Sequence, residues 1–258
     1  MIPVLERCSQ HDRLCVVLVN TRNPLNLGAA ARAMSNFGFF DLRVVNPFEA
    51  SFREARSAVG ASEVLSKARE YKSVAAAVAD CSLVVGTTSA ARRELQHPLY
   101  RLDQGGKRIR KQLGRARVAV LFGSEKRGLS NEDLSYCHWL LRIPTREEHG
   151  SMNLGQAVAV CLYELALEIV TGSPAKRSGK GKREAGAPAT SEDLERITTK
   201  LVEALRASGY LESKPSPAAD QKIRRMVRRL KLSVDDSELL AGMLRQMVWK
   251  MESQANSK

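Results

Sequence analysis

The chain has 258 residues, 43% hydrophobic and 27% charged, with a formal net charge of +13. That length suits one α/β domain with an appendage, or two modest domains, and is enough to bury a real core. No apolar run reaches the roughly 20 residues of a membrane helix, and MIPVLERCSQHDR is too short and charged for a signal peptide, so a cytoplasmic protein without membrane contact is expected.

Five scattered cysteines without a C-x-x-C pair, and four histidines without ligand spacing, predict reduced thiols and no structural metal. The positive charge points to a polyanion, because each Lys or Arg that meets a phosphate releases condensed counterions. It is denser towards the end of the chain: residues 1–170 carry a net +6 and residues 171–258 a net +7.

The first predicted strand is the apolar run Leu14–Asn20. NPLNLGAAARAMSNFG follows, a short turn opening a helix over Leu25–Phe37. Asn26 and Gly28 would let backbone approach a ligand, and Arg32 stands about one turn after Gly28; a helix cap and a surface arginine would look the same. Neither G-x-G-x-x-G nor G-K-[ST] is present, which removes the usual dinucleotide and Walker A readings.

Further strands are predicted at Leu42–Asn46, Ser82–Thr87, Arg117–Phe122 and Trp139–Ile143, with helices at Lys72–Ala79, Asn131–Cys137 and Asn153–Val170. Runs such as SLVVG and RVAVLF are continuously apolar rather than alternating. They therefore predict an α/β domain whose parallel strands are covered on both faces. Ligands of such sheets collect beyond the carboxyl ends of the strands. Three loops there are polar: VVGTTSAARR, FGSEKRGLSNEDL, and IPTREEHGSMNLGQ, where Ser151 or Asn153 would cap the following helix.

Residues 171–190, rich in Gly, Pro, Ser, Ala and Lys, read as a flexible basic linker. T-S-E-D at Thr190 resembles a capping box. Beyond it, three amphipathic helices are predicted, running from there to Gly209, over Ala218–Leu230 and from Val234 to about Met251. Such a bundle is small for an independent core and is expected to dock on the main domain or on a second subunit.

NLGAAAR, FGSEKRGLS and IPTREEHGSMNLGQAVAV resemble the three ordered motifs of the SPOUT superfamily of RNA methyltransferases, in its TrmH-like 2'-O-methyltransferase branch. Their spacing is most similar to the TrmJ-type tRNA (cytidine/uridine-2'-O-)-methyltransferases. The resemblance covers about Leu14–Val170 and implies a SPOUT-type parallel sheet with a trefoil knot, a homodimer, and S-adenosyl-L-methionine as methyl donor without a metal.

It also implies a cofactor site at Thr87, Thr88, Ser89, Gly123, Gly128, Ile143, Gly150, Ser151 and Met152, with Arg32, Glu125, Ser151 and Asn153 at the functional positions. An arginine with a pKa of roughly 12.5 or above is a poor proton acceptor. Arg32 is therefore expected to bind a phosphate and stabilise charge developing on the ribose 2'-oxygen, with Glu125 a structural acceptor.

The implied substrate is tRNA, at the pyrimidine of position 32 that opens the anticodon loop. Methylation of rRNA or of another tRNA position, and a non-catalytic RNA-binding SPOUT-like protein, are the alternatives. RNA contacts are expected from Arg22, Asn26, Arg92 and Arg93, from Lys107, Arg108, Arg110 and Lys111 in a run with seven basic residues and one acid over Arg101–Arg117, and from Arg224, Arg225, Arg228 and Arg229.

Overall fold

A computed structural model describes residues 10–48, 52–53, 63–89, 96–146, 148, 150–169, 186–212, 214 and 216–255. Its strands are β1 Leu14–Val19, β2 Asp41–Val45, β3 Arg69–Tyr71, β4 Leu83–Thr87, β5 Leu99–Arg101, β6 Val118–Phe122 and β7 Trp139–Arg142. They form one sheet in the order β3-β2-β1-β6-β4-β7-β5, with every pairing parallel.

The helices are α1 Pro24–Asn36, α2 Glu63–Ser66, α3 Val74–Val78, α4 Leu102–Leu113, α5 Asn131–Ser135 and α6 Leu154–Ile169. After the sheet domain come α7 Ser191–Ala207, α8 Pro217–Arg229 and α9 Val234–Ala255.

The five strands expected from apolar runs are present, each boundary within one residue. Continuity of the apolar run has the anticipated cause. Leu14, Val16 and Leu18 of β1 enter one buried cluster, with α1 and α6, while Cys15, Val17 and Val19 enter another on the opposite face, with α3. β3, β5 and α2 were not expected; REY and LYR are three-residue edge strands with no apolar run to betray them. α4 lies within the basic stretch Arg101–Arg117. It is a helix that buries Leu102, Ile109 and Leu113, and with them Arg110, and presents Lys107, Arg108 and Lys111 outward.

Three features place the ends of α1 and α6. Asn23 caps α1, its side chain accepting from Leu25 N–H at 2.9 Å, and Pro24 occupies the first turn, where its missing donor costs nothing. Gly38, at φ +77°, takes the left-handed turn that ends the helix. α1 and α6 then run side by side in the same direction, with Ala29 over Gly155 and Phe37 edge-on to Tyr163 at 5.9 Å. A Cβ on Gly155 would lie 2.6 Å from that of Ala29, so this crossing needs a glycine.

α7–α9 form a third buried cluster around Leu194, Ile197, Val202, Val227 and Leu244. It docks on its own α/β domain: Ser191 N–H donates to Cys81 O at 2.8 Å and Glu192 N–H to Ala79 O at 3.1 Å. The capping box at Thr190 is formed with Asp193. Residues 186–190, expected to be linker, belong to the bundle instead, because Ala189 is buried and its N–H donates to Leu232 O at 3.0 Å. The rest of the expected linker, 171–185, lies outside the described residues. Cys15, Cys81, Cys137 and Cys161 are buried free thiols.

Candidate active site

Strands β4, β6 and β7 end side by side, and the three polar loops that follow them converge on a cavity of about 750 Å³. Each loop is held by its own short bonds. After β4, Thr87 Oγ1 donates to Leu121 O at 2.8 Å and Thr88 N–H to Leu141 O at 3.0 Å, tying the loop to both neighbouring strands.

After β6, the loop Gly123–Gly128 doubles back, with Gly128 N–H donating to Ser124 O at 2.8 Å. Gly128 sits at φ +65°, and a Cβ on Gly123 would overlap the backbone of Gly128 and Leu129. After β7, Thr145 Oγ1 donates to Gly150 O at 3.3 Å. Of the two candidates for capping α6, the structure uses Asn153, whose Oδ1 accepts from Gly155 N–H at 2.9 Å and Gln156 N–H at 3.3 Å.

One side-chain chain joins the motifs. Asn26 Nδ2 donates to Glu125 Oε1 at 2.9 Å, and Asn153 Nδ2 donates to Asn26 Oδ1 at 2.9 Å. Glu125 also accepts from the backbone N–H groups of Asn23 at 3.3 Å and Arg22 at 3.4 Å. Partial burial pushes the Glu125 pKa up, but the donors from Asn26 and the backbone outweigh it and hold the carboxyl below its ordinary range. It is an ionised acceptor that fastens the start of α1 to the β6 loop. Asn26 is only 7% exposed and acts as the clamp between Glu125 and Asn153, which replaces the expectation that it faces RNA.

All of Thr87, Thr88, Ser89, Gly123, Gly128, Ile143, Gly150, Ser151 and Met152 line the cavity, and so does Glu125. Its inner wall is apolar, from Leu129, Leu141, Leu154 and Ala157. Those four were missed because in sequence they look like any core residue. Arg32 is not among the lining residues. It is exposed on the outer face of α1, with no hydrogen bond or ion pair among the described residues, because helical rotation turns it away from the face on which Asn26 meets Glu125.

The expected RNA contacts divide sharply. Lys107, Arg108 and Lys111 are exposed on α4, with Arg108 over the Tyr100 ring at 4.3 Å, and Arg22 is exposed before α1. Arg110, 8% exposed, turns inward and donates Nη1 to Glu164 O at 2.6 Å, so the helix removes it from the run. Arg224 Nη2 donates to Glu195 Oε1 at 2.9 Å and its Nη1 to Ser135 Oγ at 3.1 Å. Arg228, 2% exposed, donates Nε to Tyr136 O at 2.9 Å. These two arginines bolt the bundle to the sheet domain and are withdrawn from the RNA set, leaving half-buried Arg225 and exposed Arg229. Arg92 and Arg93 lie outside the described residues.

The cavity volume falls in the range of small-molecule sites, roughly 300–1,000 Å³. Apolar walls beneath a rim of hydroxyls and loop backbone fit a purine nucleoside carrying a polar amino-acid tail, and the residues present therefore fit S-adenosylmethionine. Among the described residues no group of three or more His, Cys, Asp or Glu could hold a metal ion, and no helix is long and apolar enough to cross a membrane.

The profile of the SpoU rRNA Methylase family matches residues 13–163, the stretch that carries the sheet and all three cavity loops. The chain belongs to the SpoU methylase family. Its SpoU relatives include the tRNA (cytidine/uridine-2'-O-)-methyltransferase TrmJ of Yersinia pestis (strain Pestoides F), 35% identical over 89% of each chain. The protein of the same name from Cronobacter sakazakii is 34% identical over 94% of this chain and 97% of its own. Among solved structures, TrmJ from Z. mobilis ZM4 superposes with a TM-score of 0.75 at 30% identity, over 90% of this chain and 98% of that one. The SpoU likeness thus extends beyond the sheet domain into the helical bundle.

Proposed function

We propose that this SpoU-family chain transfers a methyl group from S-adenosylmethionine to the ribose 2'-oxygen of a pyrimidine nucleotide in tRNA, the one that opens the anticodon loop. The carrying observation is the convergence of the loops after β4, β6 and β7 on one cavity, with Glu125, Asn26 and Asn153 joining the three motifs beside it. The names of the Yersinia and Cronobacter relatives support tRNA and a pyrimidine ribose as substrate.

Thr87–Ser89, Gly123–Gly128 and Ile143–Met152 would hold the donor with loop backbone and hydroxyls. When bound, S-adenosylmethionine supplies a methyl group made electrophilic by its sulfonium. The chain's own tasks are to exclude water, align the 2'-oxygen and bind the negative charge that grows on it. Ser151, exposed on the cavity rim, orients the nucleotide there.

Arg32 is the group suited to the charge, and it reaches a cavity through a second copy. α1 and α6 leave Leu25, Val160, Tyr163 and Leu167 exposed on the two parallel helices that carry Arg32. Covering that face by a homodimer would carry the partner subunit's Arg32 towards this cavity. Insertion of β6 between β1 and β4, and of β7 between β4 and β5, supports the further reading that the chain is knotted here.

A nucleoside map by mass spectrometry of tRNA and rRNA, each incubated with protein and labelled donor, tests the substrate. A 2'-O-methylpyrimidine at the anticodon-loop entrance is expected; label confined to rRNA would refute the tRNA reading. Arg32→Ala should lose roughly 10²–10³-fold in turnover while donor affinity stays within about threefold. Near-normal turnover would remove Arg32 from the chemistry.

A further inference from the structure

Two of the chain's four histidines, His97 and His138, lie where the helical bundle meets the sheet domain. The short helix α5 and the Tyr136 that follows form the junction. On one side, α8 packs against them and is fastened by Arg224 to Ser135 Oγ and by Arg228 to the carbonyl of Tyr136. On the other, the His97 ring hydrogen-bonds to the backbone of Leu134.

Arg225 and Arg229 follow Arg224 and Arg228 by one position each, so they form the flank of α8 next to its docked face. Neither has a carboxylate or any other hydrogen-bond partner among the described residues. Glu195 answers Arg224 and Arg228 from the opposite flank.

Two buried polar atoms at this junction are left without a hydrogen-bond partner among the described residues: Nε2 of His97 and Nη1 of Arg228. Burial first, and then the Arg225 guanidinium with Arg229 and Arg228 behind it, hold the His97 pKa down at about 4. The charges of Arg225, Arg229 and Arg228 thus all act on a neutral ring, and no carboxylate among the described residues pairs with Arg225 or Arg229. An unpaired buried ring nitrogen and clustered like charge are both costly, and an anion beside Arg225 and Arg229 relieves the second.

We propose that His97, Arg225 and Arg229 form a binding site for a phosphate of the RNA backbone, at the seam between α5 and α8. The site rests on the reading of this protein as an RNA-modifying enzyme and adds to it a second anchor point. Leu134 fixes the location: it is among the residues lining the cofactor cavity, and its backbone meets His97. A strand held at the seam is thus separated from that cavity by the width of one residue. The phosphate accepts from both guanidiniums, and from His97 Nε2 once that ring has taken a proton from solvent.

The test uses the full chain and unmodified tRNA, with binding followed by fluorescence anisotropy from low to moderate salt. R225Q/R229Q should weaken binding about tenfold or more and flatten the slope of log Kd against log salt by about two, one for each lost phosphate contact. Donor binding within twofold of the parent shows that the variant is folded. R245Q/K250Q removes the same charge from the exposed surface of α9 and should leave the slope nearly unchanged.

In the parent protein, the His97 ring resonances should shift on adding a short single-stranded RNA, and to a smaller extent with millimolar inorganic phosphate. A response to phosphate but not to RNA would make this a free-phosphate site and overturn the proposal. So would an unchanged salt slope in R225Q/R229Q, or equal flattening in R245Q/K250Q. Intact tRNA binding and methylation by R225Q/R229Q would sink this site alone, whereas a parent protein that binds no tRNA would sink the enzymatic reading itself.

Discussion

Asn26 shows how much one amide can organise. Its Nδ2 reaches Glu125 and its Oδ1 receives Asn153, so side chains from α1 and two separate loops meet at one buried group. Asn26→Asp keeps the shape, removes the donor and sets a second carboxylate against Glu125. Loss of one hydrogen bond to a charged group and exposure of its partner should cost about 1–3 kcal/mol. A urea titration at pH 7 measures it, and part of the loss should return near pH 4, where a carboxylate at position 26 can be protonated. A variant as stable as the parent at pH 7 would show that the clamp contributes nothing.

At the scale of elements, the contact of α1 with α6 decides where the catalytic motifs meet. Gly155 lets the helices approach until Ala29 fills the space of the missing side chain. Gly155→Val should push them apart, destabilising the fold by about 1–3 kcal/mol and reducing donor affinity, because Leu154 and Ala157 of the same helix line the cavity. Chemical denaturation and calorimetric titration of the donor separate the two effects. α4 makes a different point. Seven basic residues in a run suggest one charged face, yet the helical period sends Arg110 inward to Glu164 and leaves Lys107, Arg108 and Lys111 outside.

For the whole molecule, the seam between sheet domain and bundle governs the response to acid. Burial, reinforced by Arg228, depresses the His138 pKa to about 3, and His97 behaves alike at about 4. Both rings are neutral in the folded state down to those values, whereas the unfolded chain binds their protons near pH 6.5. The unfolded state therefore holds more protons between about pH 6.5 and 3, and stability should fall as pH drops through that window, by at most ~1.4 kcal/mol per pH unit for each ring. His138→Gln should flatten the dependence of the denaturation midpoint on pH; an unchanged profile would show that His138 carries no linkage. Asp80, whose pKa burial raises but Arg43 and Arg117 draw down to about 2, adds a loss only below pH 4.

The positions of five strands, the α/β class and the three cavity loops were legible in the residues themselves, since a strand buried on both faces is largely apolar and a loop that folds back on itself needs Gly123 and Gly128. Local chemistry also placed the Thr190 capping box. Which charges are free could not be read that way. Arg43, 1% exposed within β2, donates Nη2 to Asp41 at 2.9 Å and to Asp80 at 2.9 Å, while Arg228 is enclosed against Tyr136. Arg225, one residue from Arg224 and three from Arg228, has no hydrogen-bond or ion-pair partner among the described residues. Local propensity depends on a few neighbouring residues, but the fate of a charge depends on what lies across the fold, and for Arg110, Arg224 and Arg228 that neighbour is more than 25 positions away. Arg32 follows the same reasoning, because it is exposed on a face of α1 that the other described residues leave uncovered.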